Sequence, residues 1–112
     1  MTISTHVLDT SVGEPAAGVR VQLLRVDGAS SSLLSWGATN GDGRVAALAP
    51  VNAELGPGEY RLVFDVAAYF AARGQKTFYT TVAIDFVVDD LAKHYHVPLL
   101  VSPFGYSTYR GS

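Results

Sequence analysis

The stretch VRVQLLRV, residues 19–26, sets Val19, Val21 and Leu23 in alternation with Arg20, Gln22 and Leu24. Successive side chains on a strand point to opposite faces, so the first set shares one face and the second the other. That is the pattern of a half-buried β-strand. The same period of two recurs outward in both directions. Upstream, STHVLDT (residues 4–10) puts His6, Leu8 and Thr10 on one face and Val7 and Asp9 on the other. Downstream, SLLSWGAT (32–39), RVAAL (44–48), EYRLVFDV (59–66), FYTTVAIDFVV (78–88), HYHVPLLV (94–101) and YSTYRG (106–111) read as further strands.

Turn chemistry separates these runs. SVGEPAAG (11–18) carries Gly13, Pro15 and Gly18, and NGDG (40–43) is a tight-turn signal, because Asn, Asp and Gly tolerate positive φ. APVNAELGPG (49–58) reads as a loop, and DDLAK (89–93) makes Asp89 and Asp90 a turn rather than an acid/base pair. DVAAYFAARG (65–74) is the one helical candidate, with Asp65 as its cap and Gly74 as its stop. Seven or eight short strands and one short helix predict a mainly β fold, a two-sheet antiparallel sandwich. The length of 112 residues predicts a single domain over residues 1–112.

Composition narrows the function classes. The net charge is -2 and no basic run occurs, which argues against nucleic acid and against electrostatic membrane docking. There is no cysteine, hence no disulfide framework, thiolate metal site or Cys nucleophile. No stretch approaches the roughly 18 apolar residues of a membrane span. The opening MTISTHVLDT lacks the pattern of a secretory leader, and the ending RGS is unlike a Ser-Lys-Leu peroxisomal tail, so a cytoplasmic protein is expected. Charged residues make up only 16% against 48% hydrophobic, so further surface is expected to be hidden in an oligomer.

HYHVPLLV carries the chemical interest. His94, His96, Pro98 and Leu100 share one face, and Tyr95, Val97, Leu99 and Val101 share the other, which reads as core. The first set is too apolar for an ordinary solvated face. His96 fits a hydrogen-bonded interface histidine as well as a catalytic one, whereas His94, at the strand start, reads as plain surface. Taken singly, His6 reads as structural, Arg44 as a solvated hairpin residue and Arg110 as exposed. Three histidines could ligate zinc, but no carboxylate or cysteine completes a recognisable spacing. There is no Gly-x-Ser-x-Gly elbow and no phosphate-binding glycine loop. Periodicity thus yields a sandwich with a histidine-bearing outer face and no reaction.

THVLDTSVGEPAAGVRVQLLR, TNGDGR, HYHVPLLVSP and YSTYRGS together resemble the transthyretin-like 5-hydroxyisourate hydrolases over nearly the whole chain. The two histidine motifs and the ending are the specific part. The resemblance implies His6, Arg44, His96 and Ser112 as catalytic residues. It implies Tyr109, Arg110, Gly111, Pro98 and Leu100 as substrate-binding residues. It further implies hydrolysis of 5-hydroxyisourate in urate degradation, no cofactor and no metal. The expected assembly is a homotetramer, a dimer of dimers whose channel contains the sites, with the chain end packed beside it. A non-catalytic carrier of a small aromatic ligand in that channel is the alternative.

Overall fold

The computed structural model describes residues 2–45, 48 and 56–112. Nine strands and one helix follow in order: β1 (Thr2–Asp9), β2 (Glu14–Pro15), β3 (Arg20–Asp27), β4 (Ser30–Ala38), β5 (Arg44–Val45), β6 (Gly58–Asp65), α1 (Val66–Ala71), β7 (Thr81–Val88), β8 (His94–Ser102) and β9 (Gly105–Thr108). One sheet runs β2-β1-β8-β9, with β5 also pairing β1, and the other runs β4-β3-β6-β7. The inward residues of both sheets form one core. Val19, Val21 and Leu23 lie in it, as their alternation predicts, with Tyr60, Leu62 and Phe64 of β6 and Tyr95, Val97, Leu99 and Val101 of β8. The strand expected over residues 44–48 is described at Arg44–Val45 and at Leu48; positions 46 and 47, and 49–55 of the loop expected after them, lie outside the described residues.

One pairing departs from the antiparallel rule. β1 and β8 run parallel over eight registered pairs, from Thr2 with His94 to Asp9 with Val101. Parallel neighbours need a long crossover, and here nearly the whole chain intervenes. The pairing sets Ser4 level with His96 and His6 level with Pro98. The Thr5 hydroxyl, buried between the sheets, donates to the Val97 carbonyl at 2.7 Å and pins the two strands together.

The helix is short. The Ala68 N–H donates to the Asp65 carboxylate at 3.2 Å, the capping bond expected of this residue. α1 ends at Ala71, and Gly74, at φ +72°, completes the reversal after it. The helix docks through Tyr69, whose hydroxyl donates to the Asp9 carboxylate at 2.8 Å. Asp9 is fully buried, and it also accepts from the Ser11 N–H at 3.0 Å and the Ser11 hydroxyl at 2.5 Å. A buried carboxylate without such donors would be costly.

Candidate active site

β1 presents Ser4, His6 and Leu8 outward, because Ile3, Thr5, Val7 and Asp9 are taken by the core. β8 presents His94, His96, Pro98 and Leu100 on the same outer face. β5 adds Arg44, directly opposite His6. The turn before Arg44 is built to put it there. Asn40 Oδ1 accepts from the Asp42 N–H at 2.9 Å and the Arg44 N–H at 3.1 Å. Gly43 has φ +75°, and its carbonyl accepts from the Val7 N–H at 2.7 Å. A Cβ at Gly43 would lie 2.4 Å from the Val7 carbonyl oxygen, so only glycine lets the turn approach β1 so closely. The positive φ of NGDG is thus confined to Gly43, while Asn40 works through its side chain.

His6 and His96 stand diagonally across the parallel pair, about 8 Å apart at Cα for a strand spacing of about 4.8 Å and a rise of about 3.3 Å per residue. Both are half-buried, and Arg44 is exposed. Among the described residues, neither the His6 imidazole nor the Arg44 guanidinium has a hydrogen bond or ion pair. His96 Nδ1 lies 2.8 Å from Ser4 Oγ, which leaves Nε2 as the nitrogen without a partner among the described residues. Burial pushes the His96 imidazolium below its ordinary range, and the positive fields of Arg44, His94 and His6 push it further the same way. The face therefore offers a neutral imidazole, a second imidazole and an unpaired guanidinium together.

The end of the chain reaches this face by an interrupted ladder. β9 pairs with β8 as far as Leu99 and Thr108, and the same register resumes with His96 and Gly111. Pro98 has no N–H to donate, so the ladder is interrupted at Tyr109 and Arg110. The Gly111 N–H then donates to the His96 carbonyl at 2.8 Å. A Cβ on Gly111 would sit 2.4 Å from Cδ2 of the His96 ring, so the absence of a side chain makes room for that imidazole.

Of the expected residues, the strands bring together His6, Arg44, His96 and Gly111, with Pro98 buried beside His6. Leu100 lines a shallow depression with Thr10, Ser102, Gly105, Tyr106 and Ser107. Tyr109 and Ser112 are exposed. Arg110 stands apart: its guanidinium lies 4.7 Å from the centre of the Tyr95 ring, on the side of β8 opposite the His96 imidazole. Alternation accounts for this, because Gly111 faces His96 and its neighbour must face the other way. Ser4 and His94 were not expected in the site. Ser4 follows the same alternation as His6, but its meeting with β8 depends on a parallel pairing that local periodicity does not reveal. Among the described residues no group of three or more His, Cys, Asp or Glu could hold a metal ion.

A profile of the HIUase/transthyretin family matches residues 3–111. A 5-hydroxyisourate hydrolase of Mesorhizobium japonicum is 49% identical over 114 residues, covering 98% of this chain and 91% of that protein. The structure of Klebsiella pneumoniae 5-hydroxyisourate hydrolase superposes with a TM-score of 0.85 at 42% identity, with both chains covered completely. Sea bream transthyretin, solved with thyroxine, superposes with a TM-score of 0.91 at 26% identity, covering 99% of this chain and 95% of that one.

Proposed function

The chain belongs to the HIUase/transthyretin family, and on that premise we propose that it hydrolyses 5-hydroxyisourate in urate degradation, opening a ring amide to give 2-oxo-4-hydroxy-4-carboxy-5-ureidoimidazoline. The observation that carries the reading beyond family membership is the grouping of His6, Arg44 and His96 on one outer face. A carrier has no use for two imidazoles beside an unpaired cation.

His96 acts as the general base. Its Nδ1 is held by Ser4, its Nε2 is without a partner among the described residues, and its neighbours keep it neutral. It takes a proton from water as the water attacks the ring carbonyl. His6 handles the proton delivered to the departing nitrogen. Arg44 offers a planar, permanently charged donor to the oxygen on which charge develops. Ser112 orients water through its hydroxyl. Tyr109, Gly111, Pro98 and Leu100 shape the subsite that holds the flat ring in register. Arg110, which the resemblance assigns to the substrate, lies instead on the far side of β8, and its hold on Tyr95 anchors the segment that lays Gly111 against His96. Amide hydrolysis changes no oxidation state, so the route draws on no redox cofactor.

The site also calls for a cover. His6 and His96 are only half-buried in one protomer, and Arg44 and Tyr109 are exposed. Excluding bulk water would strengthen each electrostatic contact. A second copy closing over this face, within a dimer of dimers, supplies that cover. Residues 1–112 act as one domain, and the proposed location is the cytoplasm. No helix among the described residues is long and apolar enough to cross a membrane.

The test is the ultraviolet decay of 5-hydroxyisourate freshly made from urate. Added protein should accelerate the decay well beyond its spontaneous rate. A folded protein that leaves the decay unchanged but binds the compound would favour the carrier reading, in which the channel holds a small aromatic ligand without chemistry.

A further inference from the structure

Ser4 Oγ stands between two imidazoles. It lies 2.8 Å from His96 Nδ1 and 2.9 Å from His94 Nε2. The far nitrogen of His94, Nδ1, meets the Thr2 hydroxyl. The two rings are nearly parallel, 15° apart in plane, with centres 6.3 Å apart. Strand alternation and the parallel register produce this line: Thr2 faces His94, and Ser4 faces His96. Charged or titratable groups facing His96 are His6 on β1, Arg44 on β5 and His94 on β8 itself. Arg110, on the segment after β9, turns to Tyr95 instead.

We propose that Ser4 and His94 form a hydroxyl–imidazole relay that decides which nitrogen of His96 carries the proton, so that His96 Nε2 is released as a base only when His94 is neutral. The proton count enforces this. Ser4 has one hydrogen to donate, and it lies between two nitrogens. When His94 is protonated, its Nε2–H must donate to Ser4 Oγ. The Ser4 hydrogen then goes to His96 Nδ1, and the proton of neutral His96 sits on Nε2, where it blocks the base. When His94 is neutral, it can hold its proton on Nδ1, donating to Thr2. Ser4 then donates to His94 Nε2, His96 Nδ1–H donates to Ser4, and His96 Nε2 carries a free lone pair. The switch releases one proton in all: His94 Nε2 gives its proton to solvent, the Ser4 hydroxyl turns from His96 to His94, and His96 gives up its Nε2 proton to water as it takes one up from water at Nδ1. His94, exposed on the same outer face but separated from the reacting nitrogen by Ser4, becomes a positioning residue acting through Ser4.

The catalytic consequence rests on the hydrolase reading above, but the relay does not. The chain has three histidines, so the protein labelled with ¹⁵N-histidine gives a simple imidazole spectrum. The measurement is the nitrogen shifts of each ring against pH in the wild type, Ser4→Ala, Ser4→Thr and His94→Gln. In the wild type, the His96 shifts should move twice, once with its own protonation and once in step with His94. The step that follows His94 should vanish in Ser4→Ala and in His94→Gln and persist in Ser4→Thr, which keeps the hydroxyl. In the kinetic arm, the dependence of kcat on His94 titration should disappear in the same two variants while KM holds. Wild-type and Ser4→Ala titrations that superimpose would overturn the relay; so would a second His96 step that survives in His94→Gln. A protein without hydrolase activity whose His96 step still follows His94 would sink the hydrolase reading and leave the relay standing.

Discussion

His96 shows how one residue's neighbours set its chemistry. Burial and three nearby positive fields all disfavour the imidazolium. A histidine whose value is lowered in the folded state stays neutral, and so basic, to lower pH than an ordinary imidazole. In His94→Gln, where no second histidine gates the base, the acid limb of kcat/KM should therefore fall below 6.5, the ordinary value. A pH profile with its acid limb at or above that value would contradict the assignment. Gly111 offers a second test. Gly111→Ala forces a methyl group against the His96 ring. A misplacement of about 1 Å can cost on the order of 10²-fold in rate, so kcat should drop by about that much. The melting temperature should hardly move, because the segment adds little to the core. His6, Arg44 and His96 were legible as residues through their motifs. Ser4 and His94 were not, because a serine in a strand and a histidine at its start look like surface until their partners are known.

At the scale of elements, the strands were legible where one face is buried. Alternation over residues 19–26 and 94–101 follows from the core in the structure. β2, two residues long, was not separable from the turn around it, because so short a run shows no period, whereas β5 at Arg44–Val45 lies within the strand read over residues 44–48. The parallel pairing of β1 with β8 was hidden as well. Periodicity reports which face is buried, not which neighbour is paired. Helix α1 was legible from its cap, but its anchor was not. That anchor is the Tyr69 hydroxyl on buried Asp9, a contact between α1 and β1. Tyr69→Phe should destabilise the fold by about 1–3 kcal/mol, the cost of leaving a buried acceptor short of a donor, as read by urea unfolding at neutral pH. Alkaline unfolding checks the same contact. Burial, with the Asp9 bond second, pushes the Tyr69 phenol up from 10.0 to about 12. Its contribution is fully present below the unfolded value and should fade as pH rises through about 12. Tyr69→Phe should lack that phase.

For the molecule as a whole, the sandwich acts as a frame that turns one sheet outward with its histidines in register. The core occupies every inward position of β1 and β8, so the outward set is free for chemistry. The frame alone does not decide function: a thyroxine-bound transthyretin superposes on it as well as a hydrolase does. What distinguishes the two readings is the chemistry of the outer face. The most direct measurement is turnover of 5-hydroxyisourate by His6→Ala and His96→Ala, each compared with the wild type at equal folded concentration. Each substitution should lower kcat by about 10²- to 10⁴-fold, the scale of acid/base catalysis, with the fold intact. Undiminished turnover in either folded variant would contradict the assignment of the reaction to this face.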